Sequence, residues 1–353
     1  MTGSQQLVDI DPRHLFDIAR LSEYLRDVIP GLGKLSARQF HGGQSNPTYL
    51  LDDGKRRLVL RRKPPGQLLP SAHAVDREYR IMSALQNTGV PVPRTHVYCD
   101  DAAVIGTAFF VMDYLRGRTF WDPALPGLSA DERAAIFDDM NRVIAALHSV
   151  DYQAIGMADY GRPGNYLARQ VERWTRQYRA SETRVIDAME RLIAWLPQHI
   201  PEGDETCIVH GDFRLDNLII HPEEPRVIGV LDWELSTLGH PLADFAYHMM
   251  AWNVPANVFR GMAGVDFREL GIPEEAAYVR RYCERTGRAG IPHWDFYLAF
   301  NLFRIAAILQ GVYARARQGN ASSSNSLEEG AKAVPLAEIG WQFAERSERR
   351  ARS

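Results

Sequence analysis

His210-Gly211-Asp212-Phe213-Arg214-Leu215-Asp216-Asn217, then Leu218-Ile219-Ile220, then a turn at Pro222–Pro225, then Val227-Ile228-Gly229-Val230-Leu231-Asp232-Trp233-Glu234, is the stretch on which the reading of the fold turns. Cys207-Ile208-Val209 ahead of it reads as a short strand, so Asp212 stands in the loop that follows. Asn217 lies five positions on. The second apolar run, Val227–Leu231, delivers Asp232 at its end. Single aspartates often do no more than cap turns. The ordered set of Asp, Asn five later, apolar hairpin and terminal Asp is a more specific signal.

That order matches what phosphoryl transfer requires: a carboxylate to orient the attacking hydroxyl, metal ligands to neutralise phosphate charge, and a cation on the α/β-phosphates. Asp212 is the candidate base. The side-chain oxygen of Asn217 and the carboxylate of Asp232 are the candidate Mg²⁺ ligands, hard oxygen donors of the kind that ion prefers. Arg214, inside the loop, can contact the transferred phosphate or pair with a neighbour.

Working outward, the chain before this stretch is rich in strand patterns. Residues 13–28 fit an amphipathic helix, and residues 1–12 read as a loose polar start. Strands are predicted at Leu35–Phe40, Thr48–Leu51 and Arg57–Arg61, with Asp53-Gly54 supplying a hairpin turn. A helix follows over 74–87, then strands at Val97–Cys99 and Ala108–Met112. Beyond Tyr114-Leu115-Arg116-Gly117 the pattern turns helical, with candidates at 129–149, 164–180, 184–198, 241–252, 273–287, 293–318 and 334–349. Ala321–Asn325 is a low-complexity stretch expected to form a mobile surface loop. The expected fold is α+β, a bilobal protein kinase-like fold. A small β-rich N-lobe (1–115) binds nucleotide phosphates, and a larger, mainly helical C-lobe (116–353) carries the catalytic loop, metal site and acceptor-binding helices.

The first part supplies nucleotide-side candidates. Gly42, Gly43, Ser45 and Asn46 join the first two predicted strands, where two glycines let backbone approach phosphate closely. A plain hairpin turn explains the same residues. On the third strand, Leu58-Val59-Leu60-Arg61 sets Arg61 at the position of a phosphate-binding cation, and Lys63 shares its strand parity as the alternative. Glu78 in the next helix is the natural ion-pair partner, although a solvated helix face explains it too. Phe109–Leu115 fits a strand and hinge that hold adenine, with Asp113 and Leu115 as contacts; pure core packing fits the apolar members equally.

Taken together, Gly42–Tyr49, Leu60–Gly66, His210–Asn217 and Leu231–Asp244 resemble the aminoglycoside phosphotransferase and choline kinase-like superfamily. The nearest resemblance within it is to the kinase-like domain fused to some acyl-CoA dehydrogenases. The resemblance implies an ATP- and Mg²⁺-dependent phosphotransferase with an alcohol group as acceptor, and a tolerance of Arg at the position of Arg61. It also implies that Asp244 starts a helix beneath the catalytic loop and tethers it. The match is expected to end before the dehydrogenase module.

The remaining sequence narrows the acceptor and removes other classes. Lys plus Arg is 41 against 44 Asp plus Glu, a net charge of −3, so neither nucleic acid nor an anionic membrane is an expected partner. Cys99, Cys207 and Cys283 are far apart, which suits buried free thiols in a reducing, cytoplasmic compartment. No signal peptide or membrane-length apolar run is read. Histidines never stand four apart, which argues against a zinc hydrolase. Gly31-Leu32-Gly33-Lys34 precedes a strand, whereas a phosphate loop opens a helix. Arg169, Arg173, Arg176 and Arg179 recur as a stripe on one helix, and Arg304, Arg315 and Arg317 oppose Asp295 alone on another. A solvated face explains such stripes, but they also favour an anionic acceptor such as the hydroxyacyl-CoA that the resemblance implies. The alternatives are an aminoglycoside or choline-type kinase with a cationic acceptor, or a nucleotide-binding pseudokinase.

Overall fold

Period-two alternation builds the sheet that carries the nucleotide-side candidates. The computed structural model describes residues 6–40, 46–65, 74–319 and 325–352. Strands β1 (Leu7–Val8), β2 (Ser36–Phe40), β3 (Thr48–Asp52), β4 (Arg57–Arg62), β5 (Thr95–Cys99) and β6 (Phe109–Asp113) form one antiparallel sheet in the order β1-β2-β3-β4-β6-β5. Asp52 and Asp53 make the β3–β4 turn by accepting hydrogen bonds from the N–H groups of Gly54, Lys55 and Arg56.

Each face of the sheet has its own partner. Tyr49, Leu51, Leu58, Leu60, Phe109 and Val111 are buried with Leu21 and Leu25 of helix α1 (Ile18–Val28). Val59, Phe110 and Met112 alternate to the opposite face, on the side of Met82 from helix α2 (Val75–Leu85). Parity therefore sends Arg61 to the α2 side and Arg62 to the α1 side. Arg62 is buried, donates to the carbonyls of Ile105 and His14, and lies over the rings of Phe16 and Tyr49.

Two expectations for the start of the chain are corrected. The helix expected over 13–28 is a short turn at Pro12–His14 followed by α1 from Ile18. Asp11 and Asp17 each accept a backbone N–H, and each starts its own element. The loose polar start contains β1, with Leu7 opposite Phe40. Residues 321–324 of the expected surface loop lie outside the described residues; Asn325 precedes a helix at Ser326–Ala331.

The chain divides into two compact units. The first is Met1–Trp121 with Tyr152–Met157 and Arg214–Ser236; the second is Asp122–Asp151, Ala158–Phe213 and Thr237–Ser353. The first unit thus adds a hairpin, Leu218–Ile220 paired with Val227–Val230, to the six-stranded sheet. Gly117 lies against this hairpin, where a Cβ would come 2.3 Å from Ile219 Cγ2 and 2.4 Å from the Ile220 carbonyl.

The second unit is mainly helical. A capping box of Ser129 and Glu132 starts Ala130–His148. Cys207–Val209 pairs antiparallel with Thr237–Gly239. At the centre, Trp294–Arg317 packs against Ala333–Arg352, Ser326–Ala331, Tyr166–Ser181 and Pro241–Asn253. By length and composition this helix could cross a membrane, yet 72% of its most apolar window is buried inside the protein, as in a core helix. Cys99, Cys207 and Cys283 are buried free thiols.

Asp295 fastens the last helix to the central one. It is buried and accepts from Arg346 Nε at 3.0 Å and Arg350 Nη1 at 3.0 Å. Removing both arginines strands a buried carboxylate, whereas Asp295→Asn removes the charge with the pair. The double variant Arg346→Ala/Arg350→Ala is therefore expected to lose about 3 kcal/mol, and Asp295→Asn less. Chemical denaturation midpoints check this order, and the reverse order would contradict it.

Candidate active site

Burying a guanidinium requires paired anions, and Arg61 has three. Its side chain is 15% exposed. Nε lies 3.1 Å from Glu78 Oε2, and Nη2 lies 2.8 Å from Asp232 Oδ1 and 3.8 Å from Glu234 Oε2. Asn46 Nδ2 donates to Glu78 Oε1 at 3.0 Å. Burial opposes the charge of Arg61, but Glu78, Asp232 and Glu234 outweigh it and raise its pKa. For Glu78, burial dominates: it lifts the carboxyl from 4.5 to about 7 against the pull of Arg61, and Asp232 and Glu234 add to the rise. Lys63, the alternative cation, pairs instead with Asp76 at 3.8 Å.

The hairpin that presents Asp232 is held by its backbone. Leu231 N–H donates to the Asn217 carbonyl at 2.8 Å, which brings the Asn217 and Asp232 segments side by side. Asp232 has left-handed backbone angles, φ 65° and ψ 59°. Such a conformation costs a non-glycine residue about 1 kcal/mol or more. It is held on one side by the Leu231 bond and on the other by Trp233, whose indole N–H donates to the Val230 carbonyl. Arg214 pairs with Asp216 at 3.2 Å.

A cavity of about 400 Å³ opens within this first unit. Arg61, Glu78, Asp216 and Asp232 line its polar part. Phe40, Val59, Met112, Tyr114, Leu115 and Trp121 line the apolar part, and Phe40 stacks on Tyr114. Asp113 also lines it and accepts from His96 at 2.7 Å. The cavity thus carries charged groups among apolar walls, the composition of a small-molecule site. Gly42, Gly43 and Ser45 lie outside the described residues.

Asp212 belongs to the second unit. Gly211 beside it takes φ 80°, a conformation that favours glycine. The N–H groups of His210 and Gly211 donate to Asp244 at 2.8 Å each. His148 bonds both Asp244, at 3.2 Å, and the Tyr282 hydroxyl, at 2.7 Å. Burial works against the charge of Asp244, but the hydrogen bond from His148, the nearby His148 and His210 rings and the His210 N–H hold its pKa below the usual value. Asp212 N–H donates to His210 Nδ1, and Tyr247 O–H donates to Asp212 Oδ1.

The sequence profile of the phosphotransferase enzyme family matches residues 36–300, three quarters of the chain. The chain belongs to that family. This phosphotransferase is 51% identical to acyl-CoA dehydrogenase family member 10 of Mus musculus over 92% of its own length and 31% of that protein. It spans less than half the length of that relative and of the family member 11 proteins it also matches. A crystal structure from Ralstonia eutropha, provisionally named an aminoglycoside phosphotransferase, is 54% identical with a TM-score of 0.88, covering 94% of this chain and 99% of that one. Spectinomycin phosphotransferase, solved with ADP and spectinomycin, shares the fold at 14% identity and a TM-score of 0.62, covering 93% and 98%. The kinase-like α+β fold and the phosphotransferase class acting on hydroxyl groups follow from these likenesses.

The basic stripe is less continuous than its spacing suggests. Arg169 donates to the carbonyls of Gly164 and Arg162, and Arg179 pairs with Glu182 and Glu190. Arg173 lies over the ring of Trp174, and Arg176 lines a shallow groove with Val171 and Pro197. Arg304 is buried, and Asp295 is spent on Arg346 and Arg350. Sequence reasoning missed Tyr247, a tyrosine in an apolar helix run, and Trp121, which no motif marks.

Glu78 gives a pH signature. A folded pKa raised above the unfolded one contributes stability that is complete below the unfolded value and lost as pH rises through the folded value. Thermal stability of the wild type is expected to fall between about pH 5 and about pH 8 more steeply than that of Glu78→Gln, by a few degrees. Parallel pH profiles of the two proteins would show that Glu78 does not titrate there.

Proposed function

We propose that this phosphotransferase moves the γ-phosphate of ATP, bound with Mg²⁺, to a hydroxyl of a small anionic acceptor such as a hydroxyacyl-CoA. The single observation that carries the nucleotide half is Arg61, fixed at the cavity between Glu78 and Asp232. A forked cation at that place can bind phosphate oxygens while its carboxylate partners keep it oriented.

The oxygen donors suit Mg²⁺. Asp232 offers a carboxylate in a backbone conformation set by its neighbours, and Asn217, joined to that segment by the Leu231 bond, offers an amide oxygen. The ion would supply charge neutralisation on the phosphates. Asp212 accepts the proton of the acceptor hydroxyl as the new O–P bond forms. The bond from the γ-phosphorus to the β,γ-bridging oxygen breaks, and ADP leaves with that electron pair. Arg214 is assigned to the transferred phosphate, with Asp216 orienting it.

The names of the relatives support an anionic acceptor: they are acyl-CoA dehydrogenase family members, which makes a coenzyme A thioester a natural acceptor class.

Transfer of label from [γ-³²P]ATP with Mg²⁺ tests this across hydroxyacyl-CoAs, hydroxy acids, amino alcohols and aminoglycosides. Label is expected in a hydroxyacyl-CoA. Asp212→Asn is expected to lower that transfer about 10²- to 10⁴-fold while Mg-ATP binding persists. Label in an aminoglycoside or amino alcohol, with none in an anionic acceptor, would overturn the acceptor assignment.

A further inference from the structure

We infer that Tyr247 and Arg304 are positioning residues for the general base, fixing the Asp212 carboxylate from the helix side of its loop. The inference rests on the reading of Asp212 as that base.

Tyr247 lies in the helix Pro241–Asn253 and is 5% exposed. A buried phenol needs a partner for its O–H. The aromatic residues around it satisfy theirs locally: His248 bonds the Tyr278 hydroxyl, and Trp252 donates to the Pro273 carbonyl. Tyr247 instead reaches a residue of the proposed chemistry, donating to Asp212 Oδ1. A phenylalanine would fill the same volume, so packing does not account for the hydroxyl. What the hydroxyl adds is control of rotation. A carboxylate with one oxygen tied presents its face to the acceptor in one orientation, and a base must be aligned as well as near.

Arg304 completes the arrangement. It is buried in the central helix, and its Nη2 donates to the Gly211 carbonyl at 2.8 Å. Gly211 N–H is already bound by Asp244, so both polar groups of this glycine are held. The same guanidinium lies 5.2 Å from the Tyr247 ring centroid and 5.7 Å from that of Trp174. A cation over a phenol ring withdraws electron density and strengthens its O–H as a donor. One side chain therefore fixes the backbone before Asp212 and reinforces the hydroxyl that holds its carboxylate.

The test compares wild type, Tyr247→Phe and Arg304→Met in steady-state turnover of Mg-ATP, with water and with the acceptor set above, alongside thermal midpoints. Each variant is expected to lose about tenfold or more in kcat with KM for Mg-ATP nearly unchanged. Tyr247→Phe is expected to keep its thermal midpoint. A folding defect would lower the midpoint or the active fraction without this separation of kcat from KM. A wild type that turns over Mg-ATP and a Tyr247→Phe protein that matches its kcat overturn the positioning role alone. A wild type with no turnover on water or any acceptor overturns the reading of Asp212 as base, and this inference with it.

Discussion

Arg61 is a permanent cation with little access to water, and the first unit is organised around keeping it paired. A lysine would present a single point charge. The guanidinium fork instead reaches Glu78 through Nε and the Asp232–Glu234 segment through Nη2. Strand β4, helix α2 and the segment after the hairpin are thereby joined at one residue. The supporting contacts follow the same geometry: Asn46 donates to Glu78, and Arg77 of α2 reaches the Ser236 carbonyl. Three carboxylates around one guanidinium leave excess negative charge, and this contributes to the rise of Glu78 toward 7. A nucleotide phosphate brings negative charge to the same place, so the proposed reading calls for a cation beside it.

The loop that carries Asp212 in the second unit depends on the same satisfaction of buried polar groups. Asp244 is buried and charged, and it is satisfied by two backbone N–H groups and His148. Gly211 can offer its N–H to Asp244 and its carbonyl to Arg304 because its backbone turns left-handed between them. This gives the glycine of His210-Gly211-Asp212 a conformational reason. No side chain is needed there, and a Cβ would strain the turn.

Much of this was legible in the sequence because it is local or periodic. Strand alternation singles out Arg61 as the candidate cation, with Lys63 at the same parity. The Asp53-Gly54 turn, the hairpin after Asn217 and the central apolar helix follow from short-range pattern. What stayed hidden depends on long-range partners. A buried Arg62 looks like any strand arginine until Phe16 and Tyr49 flank it. Tyr247 reads as one more core aromatic, since the carboxylate it meets is far off in sequence. The arginine stripe on Tyr166–Ser181 shows the converse: spacing alone could not reveal that Arg169 and Arg179 are committed to neighbours. The first helix was overextended because Asp11 and Asp17 are both competent caps, and hydrophobic periodicity does not register a cap.

The central claim is that Arg61, held by Glu78 and Asp232, is the phosphate-binding cation of an Mg-ATP site. Calorimetric titration of Mg-ATP into wild type and Arg61→Met, with adenosine as a ligand that lacks phosphate, tests it most directly. The account predicts that Arg61→Met weakens Mg-ATP binding about tenfold or more while adenosine binding is little changed. Equal Mg-ATP affinity in the two proteins would contradict it.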